Sequence, residues 1–229
     1  MRTLPVILAA AVAGCLAGGV LVYRGVAAQG NEVGNEVGNA PADAVEIATG
    51  IVETGACRLA EAEFEALETA TAGEVAAMRP MERGLSLAAL PITAPDGSTT
   101  TLGEASEGLT LLNLWATWCA PCRAEMPHLD ELREARQAPG EDGFDVVALN
   151  VDTPNADPEA FLIEIGVDLP LWRDTTLGTF TNMRLAGLAT GLPVTALIDR
   201  DGCVLAAMNG PAPWNGPDAL NLIDVAQRL

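Results

Sequence analysis

The sequence contains no lysine. All 12 basic residues are arginine, and they stand against 31 acidic ones for a formal charge of -19. A surface this negative repels nucleic acid and anionic membranes, so neither is expected as a partner. Aromatic residues are scarce as well, with four Phe, four Trp and one Tyr, which leaves Leu, Val, Ile and Ala to build the core. His128 is the only histidine. It falls in a helical run, reads there as a surface residue, and is too few to make a zinc site, which takes four protein ligands. No glycine-rich loop follows a strand-like run at the spacing that cradles phosphate, so no organic cofactor is expected.

One long uncharged stretch is present. Leu4 to Tyr23, "LPVILAAAVAGCLAGGVLVY", runs 20 residues without a charge. A helix of that length, at 1.5 Å per residue, spans the ~30 Å apolar core of a bilayer. Arg2 precedes it and acidic residues follow Arg24, so the positive-inside rule places the remainder of the chain outside the cytoplasm. "VAAQ" (Val26 to Gln29) offers a signal-peptidase site, and "VAGC" (Val12 to Cys15) a lipidation box. The length of the apolar run favours a retained anchor over either cleaved form. All three versions export the chain to the same side.

The expected organisation is a membrane anchor at 1–28, a flexible linker at 29–55, a helical N-terminal extension at 56–84 and an α/β domain at 85–229. The linker holds the twice-repeated "NEVG" and a Pro-Ala stretch, too polar and glycine-rich to bury a core. From Cys57 to about Ala77, Ala60, Phe64 and Leu67 recur at helical spacing. After Gly84, "SLAALPITAPDGSTTTL" reads as a β-hairpin around Pro-Asp-Gly. "LTLLNLWAT" and "FDVVALNVD" read as buried strands, and a helix from Cys119 to about Gln137 lies between them. "DPEAFLIEIG" opens with an Asp cap and a Pro at the first helical position. "LPLWRD" is a short strand. A helix near 176–185, strands "VTALID" and "CVLAAM" about the turn "RDG", and a final helix from Pro217 complete an α/β fold with a mixed sheet flanked by helices.

Four cysteines lie beyond the apolar stretch: Cys57, Cys119, Cys122 and Cys203. In an oxidising compartment such thiols persist as disulfides. Cys119 and Cys122 are close enough to bond, which leaves Cys57 with Cys203; two unpaired thiols are the alternative. Cys119 stands where a strand turns into a helix. Unpaired N–H groups and the positive end of the helix dipole favour its thiolate there. Pro121 suits the first helical turn, where its missing N–H goes unnoticed. Cys122 lies one turn in and would resolve a mixed disulfide. A metal clip lacks its further ligands, and a purely structural 119–122 disulfide closes too small a loop to stabilise much.

The segment "WATWCAPCRAEMP" (Trp115 to Pro127), with "GLPVT" (Gly191 to Thr195) and "IDRDG" (Ile198 to Gly202), resembles the thioredoxin superfamily. Within it the chain is similar to the membrane-anchored TlpA/ResA-like thiol:disulfide interchange group, and most to the TlpA proteins. The resemblance implies a thioredoxin fold from about Leu85 onward and disulfide-reducing activity through a redox-active Cys119–Cys122 pair, with no other cofactor. It implies that Pro193 is a cis-proline facing the cysteines, whose backbone neighbours receive substrate; an ordinary strand-start proline is the alternative. Trp118, Ala120, Pro121 and Leu192 would then join Pro193 in contacting substrate. Trp115 packs in the core. Cys57 and Cys203 match the extra pair of the TlpA proteins, a bond worth about 5 kcal/mol in the chain-entropy treatment. Asn113 occupies the place of a buried acid in many thioredoxins and cannot accept a proton. Glu125 matches an acid beside the site in ResA-like proteins; buried, its pKa would rise, and the alternative is a solvated helix glutamate. Implied partners are disulfide-bearing proteins of cytochrome oxidase assembly, a copper chaperone or the copper-binding oxidase subunit, with a transmembrane thiol reductant as electron donor. Reduction of apocytochrome c and copper carriage by Cys119 and Cys122 are the alternatives. The implied location is the cytoplasmic membrane, single-pass, with the catalytic domain in the periplasm.

Overall fold

The computed structural model describes residues 43–106, 108–136 and 143–229. The expected anchor at 1–28, its cleavage and lipidation alternatives, and the first part of the expected linker lie outside these residues. In chain order the elements are β1 (Val45–Ala48), β2 (Ile51–Glu53), α1 (Glu61–Ala70), β3 (Arg79–Pro80), β4 (Leu85–Ser86), β5 (Pro91–Thr93), β6 (Thr99–Thr101), the short helix α2 (Leu102–Ala105), β7 (Leu109–Trp115), α3 (Ala120–Arg136), β8 (Phe144–Asn150), α4 (Pro158–Ile165), β9 (Trp172–Arg173), α5 (Gly178–Leu185), β10 (Val194–Ile198), β11 (Val204–Asn209) and α6 (Pro217–Ala226).

The main sheet has eight strands in the order β3-β11-β10-β7-β8-β9-β5-β6. β7 is central. Its apolar run is buried at every residue, as a strand covered on both faces requires. It pairs parallel with β8 through the crossover helix α3, and antiparallel with β10 in a register that sets Val194 opposite Leu114 and Thr195 opposite Asn113. β10 and β11 form the terminal antiparallel hairpin. Each fully buried leucine of β7 contributes roughly 1.5–3 kcal/mol by leaving water.

Helix ends follow local chemistry. Asp157 caps α4 by accepting the Ala160 N–H at 3.0 Å, Pro158 takes the first helical position, and Gly166 closes the helix at φ 69°. α3 carries Pro127 in its interior, where one backbone hydrogen bond is forfeited.

Two expectations about the N-terminal part are corrected. Residues 45–53, assigned to the flexible linker, form the β1–β2 hairpin, which pairs on through β2 with β4 as a separate three-stranded sheet. Ile51 is its buried anchor, and Gly50 makes the turn at φ 75°, where a Cβ would meet the Ala89 carbonyl at 2.7 Å. The helical extension at 56–84 is not all helix, nor separate from the domain. α1 is flanked by 3-10 turns at Gly55–Cys57 and Gly73–Val75, and β3 then joins the main sheet beside β11. Leu67, Val75 and Met78 enter the same core as the leucines of β7, so packing crosses residue 85 without a break.

Candidate active site

The sheet delivers β7 to the N-terminal end of α3 through three residues, Ala116 to Trp118. This loop is pinned at two points. Cys119 donates its N–H to the Ala116 carbonyl at 3.0 Å, and Thr117 donates its N–H to Asp152 Oδ2 at 2.8 Å. The same carboxylate oxygen accepts from Asn150 Nδ2 at 2.8 Å. Asp152 lies two residues past the end of β8 and is buried.

Cys119 is the N-cap of α3: its carbonyl accepts the Arg123 N–H at 3.1 Å, the first bond of the helix. Its Sγ accepts the Cys122 N–H at 3.2 Å. Sulfur thus takes the place that a Ser or Asp oxygen usually occupies at a cap, where it meets the unpaired N–H groups and the positive helix end. The two cysteines are joined in a disulfide. Both cysteines are buried, Cys119 at 4% exposure and Cys122 at 0%, so only the first keeps any surface toward solvent. Ala120 and Pro121 are exposed, and Trp118, 70% exposed, stands beside them. Trp115 is buried, as expected, stacking on Phe161 at 5.5 Å.

The Leu192–Pro193 peptide is cis. Extending the β7–β10 register one residue beyond the Val194–Leu114 pair puts Pro193 opposite Trp115, at the sheet end where the cysteines stand. Leu192 is half-buried and Pro193 buried.

Glu125 lies one turn past Cys122 on the inner face of α3 and is 1% exposed. The solvated alternative therefore fails. Asn113 Nδ2 donates to its Oε1 at 2.8 Å, while the Ala212 N–H and Trp214 Nε1 donate to its Oε2, each at 3.2 Å. Burial outweighs these three donors and lifts the carboxyl to about 7. Asn113 also donates to Thr195 Oγ1 at 3.0 Å, and its own Oδ1 is buried without a partner. His128 lies on α3, half-buried.

Cys57 and Cys203 are joined in a second disulfide between the 3-10 turn before α1 and the start of β11. It lies at the far end of the β10–β11 hairpin from Pro193, roughly 17 Å away by the length of β10. The structure therefore gathers Trp118, Cys119, Ala120, Pro121, Cys122 and Pro193 at one end of the sheet, sets Glu125 beneath them, and leaves Cys57 and Cys203 apart.

Asp152, Thr195, Ala212 and Trp214 escaped the sequence reading. A signal existed for Asp152 alone: it sits at the carboxyl end of a buried parallel strand, where sites of α/β sheets gather.

The Redoxin family profile matches residues 68–223. The thiol-disulfide oxidoreductase ResA of Geobacillus thermodenitrificans is 33% identical over 126 residues, covering 52% of this chain and 68% of its own. The thiol:disulfide interchange protein HelX of Rhodobacter capsulatus is 30% identical over 170 residues, covering 72% of this chain and 83% of its own. Among solved structures, the secreted thiol-disulfide isomerase of Corynebacterium glutamicum superposes with a TM-score of 0.53 at 24% identity, over 66% of this chain and 90% of that one, which bears on the fold alone. A Chlorobium tepidum structure described as a thiol:disulfide interchange protein DsbE gives 0.50 at 28% identity, over 60% and 92%. With its mixed sheet, its cysteine-capped helix and these relatives, the chain belongs to the Redoxin family, as a thioredoxin-fold protein of the thiol:disulfide oxidoreductase class.

Proposed function

We propose that this chain reduces disulfides in other proteins, from a single-pass anchor at 1–28 in the cytoplasmic membrane with its folded part in the periplasm. The observation that carries the reading is the contrast between two bonded sulfurs: that of Cys119, at the helix cap in a residue that keeps a little exposed surface, and that of Cys122, in a residue with none.

In the dithiol form, the Cys119 thiolate attacks one sulfur of a target disulfide. The target S–S bond breaks, a mixed disulfide with Cys119 forms, and the second target sulfur leaves as a thiolate and takes up a proton. Cys122 then gives up its proton and attacks Cys119 Sγ. The mixed disulfide breaks, the remaining target sulfur leaves as a thiolate, and the Cys119–Cys122 disulfide forms. Two electrons have passed to the target without any other cofactor. A transmembrane thiol reductant returns the pair to dithiol. Glu125 modulates the ionisation of the pair, a role that Asn113 is unable to fill. Trp118, Ala120, Pro121, Leu192 and Pro193 receive the target segment, and Cys57–Cys203 is structural.

The second cysteine pair and the N-terminal extension, shared with the TlpA proteins, support targets in assembly of the copper site of cytochrome oxidase: a copper chaperone or the copper-binding oxidase subunit. A full-length Cys122→Ser variant, recovered from its own membranes, should hold its target in a mixed disulfide through Cys119. Recovery of apocytochrome c would move the reading to haem attachment. Tight one-to-one copper binding by the reduced protein, with no trapped target, would replace it with copper carriage.

A further inference from the structure

The loop that brings Leu192 and Pro193 to the site is held by one side chain from outside it. Asn209, the last residue of β11, lies opposite Val194 across the hairpin. Its Oδ1 accepts the Thr190 N–H at 2.6 Å, the Thr190 hydroxyl at 3.0 Å and the Gly191 N–H at 3.4 Å. Its Nδ2 donates to the Leu188 carbonyl at 3.0 Å. Beside it, the Gly210 N–H donates to the Pro193 carbonyl at 2.9 Å. A carboxamide offers both an acceptor and a donor, and this one uses both on a single loop.

The residue that these bonds skip is Leu192. Among the described residues, neither its N–H nor its C=O has a partner. Backbone groups ordinarily find partners, and a free N–H and C=O on one residue beside a sheet end is the edge to which an extended segment adds. The bonds to residues 188, 190 and 191 on one side, and to Pro193 on the other, fix the direction in which that edge faces.

We infer that Asn209 is a positioning residue for protein substrates, holding the 188–191 loop so that the N–H and C=O of Leu192 stay aligned to pair with an extended target segment beside its disulfide. This rests on the proposal that Leu192 and Pro193 receive the target. Small disulfides have no backbone to pair and are indifferent to the clasp. Asn209 is itself exposed. Truncating it hands the loop N–H groups to water instead of burying them unpaired, so the fold survives while the alignment is lost.

The test uses the full chain with two substrates: insulin, a protein disulfide, and 5,5′-dithiobis(2-nitrobenzoate), a small aromatic one. Asn209→Ala should raise the KM for insulin about tenfold, as the loss of a hydrogen bond's worth of alignment would. It should leave kcat, the rate with the small disulfide and the equilibrium with glutathione unchanged. Asn209→Asp, which keeps the acceptor but sets a carboxylate against the Leu188 carbonyl, should fall between wild type and Asn209→Ala. Equal losses on both substrates would mark a general structural role and overturn the inference. Leu192→Pro, which deletes the N–H, separates the two proposals. If it raises the insulin KM while Asn209→Ala does not, the inference falls and the reading of Leu192 stands; if neither variant moves the KM, both fall.

Discussion

Cys122 donates its backbone N–H to the sulfur of Cys119 at 3.2 Å, so one member of the pair stabilises the anionic form of the other. That bond outlasts the disulfide if α3 keeps its first turn on reduction. The Cys119 thiol should then ionise one or more units below the ~8.5 of a free cysteine, while buried Cys122 stays protonated. Iodoacetamide alkylation of the reduced protein across pH 4 to 10, read by mass, checks this. Cys119 should be modified first and Cys122 hardly at all; an unshifted Cys119 would remove the physical basis of the proposed mechanism.

Glu125 links the site to pH. Burial lifts its folded-state value to about 7, while in the unfolded chain it titrates near 4.3. Between those values the folded protein holds a proton that the unfolded chain has lost. The resulting stability is complete below about 4.3 and is lost as pH rises through 7. The total is on the order of 3 kcal/mol. Glu125→Gln is unable to ionise, so denaturant titrations at pH 5 and pH 8 should show wild type losing more stability than the variant. Asp199, also raised by burial, contributes alike to both proteins and drops out of the difference. Parallel behaviour of the two proteins would mean that Glu125 is ionised throughout.

Asp152 holds the loop in front of Cys119. Asp152→Ala strands the Thr117 N–H and the Asn150 amide, at a cost of about 1–3 kcal/mol for buried groups left unpaired. Because the loop also aims Cys119, insulin reduction should slow together with the drop in melting temperature. Asp152→Asn keeps an oxygen in place and should lose less of both.

The Cys57–Cys203 disulfide is expected to act on stability and not on turnover. Replacing both residues with alanine releases a crosslink over a sequence separation of 146 and should cost about 2–5 kcal/mol in chemical denaturation. Insulin reduction should stay within about twofold of wild type, since sites this far apart act independently. A large loss of turnover in a folded double variant would show the distant disulfide coupled to the active one.

Legibility in the sequence tracked how local each cause was. The cap and stop of α4 are written in Asp157, Pro158 and Gly166, and the start of α3 in Cys119 and Pro121, so those elements were readable. β7 announced itself as an unbroken apolar run. The β1–β2 hairpin did not: its strands have four and three residues, and the polar repeats before it mask the change of texture at Val45. β3 is two residues long and exists only because β11 lies beside it. At the site, the cysteines and Pro193 came from motifs. The donors that surround Glu125 come from Asn113, Ala212 and Trp214, which are brought together by tertiary folding, and no spacing betrays them.

The outermost strand on the α1 side, β3, consists of an arginine and a proline. A charge and an imino nitrogen make a poor template for foreign backbone, so this rim refuses strand addition. At the opposite rim β6 is three threonines long, little more to hold on to. Such blunted margins make both rims of the main sheet poor templates for a foreign strand, and leave the unpaired backbone of Leu192 as the edge proposed to take one.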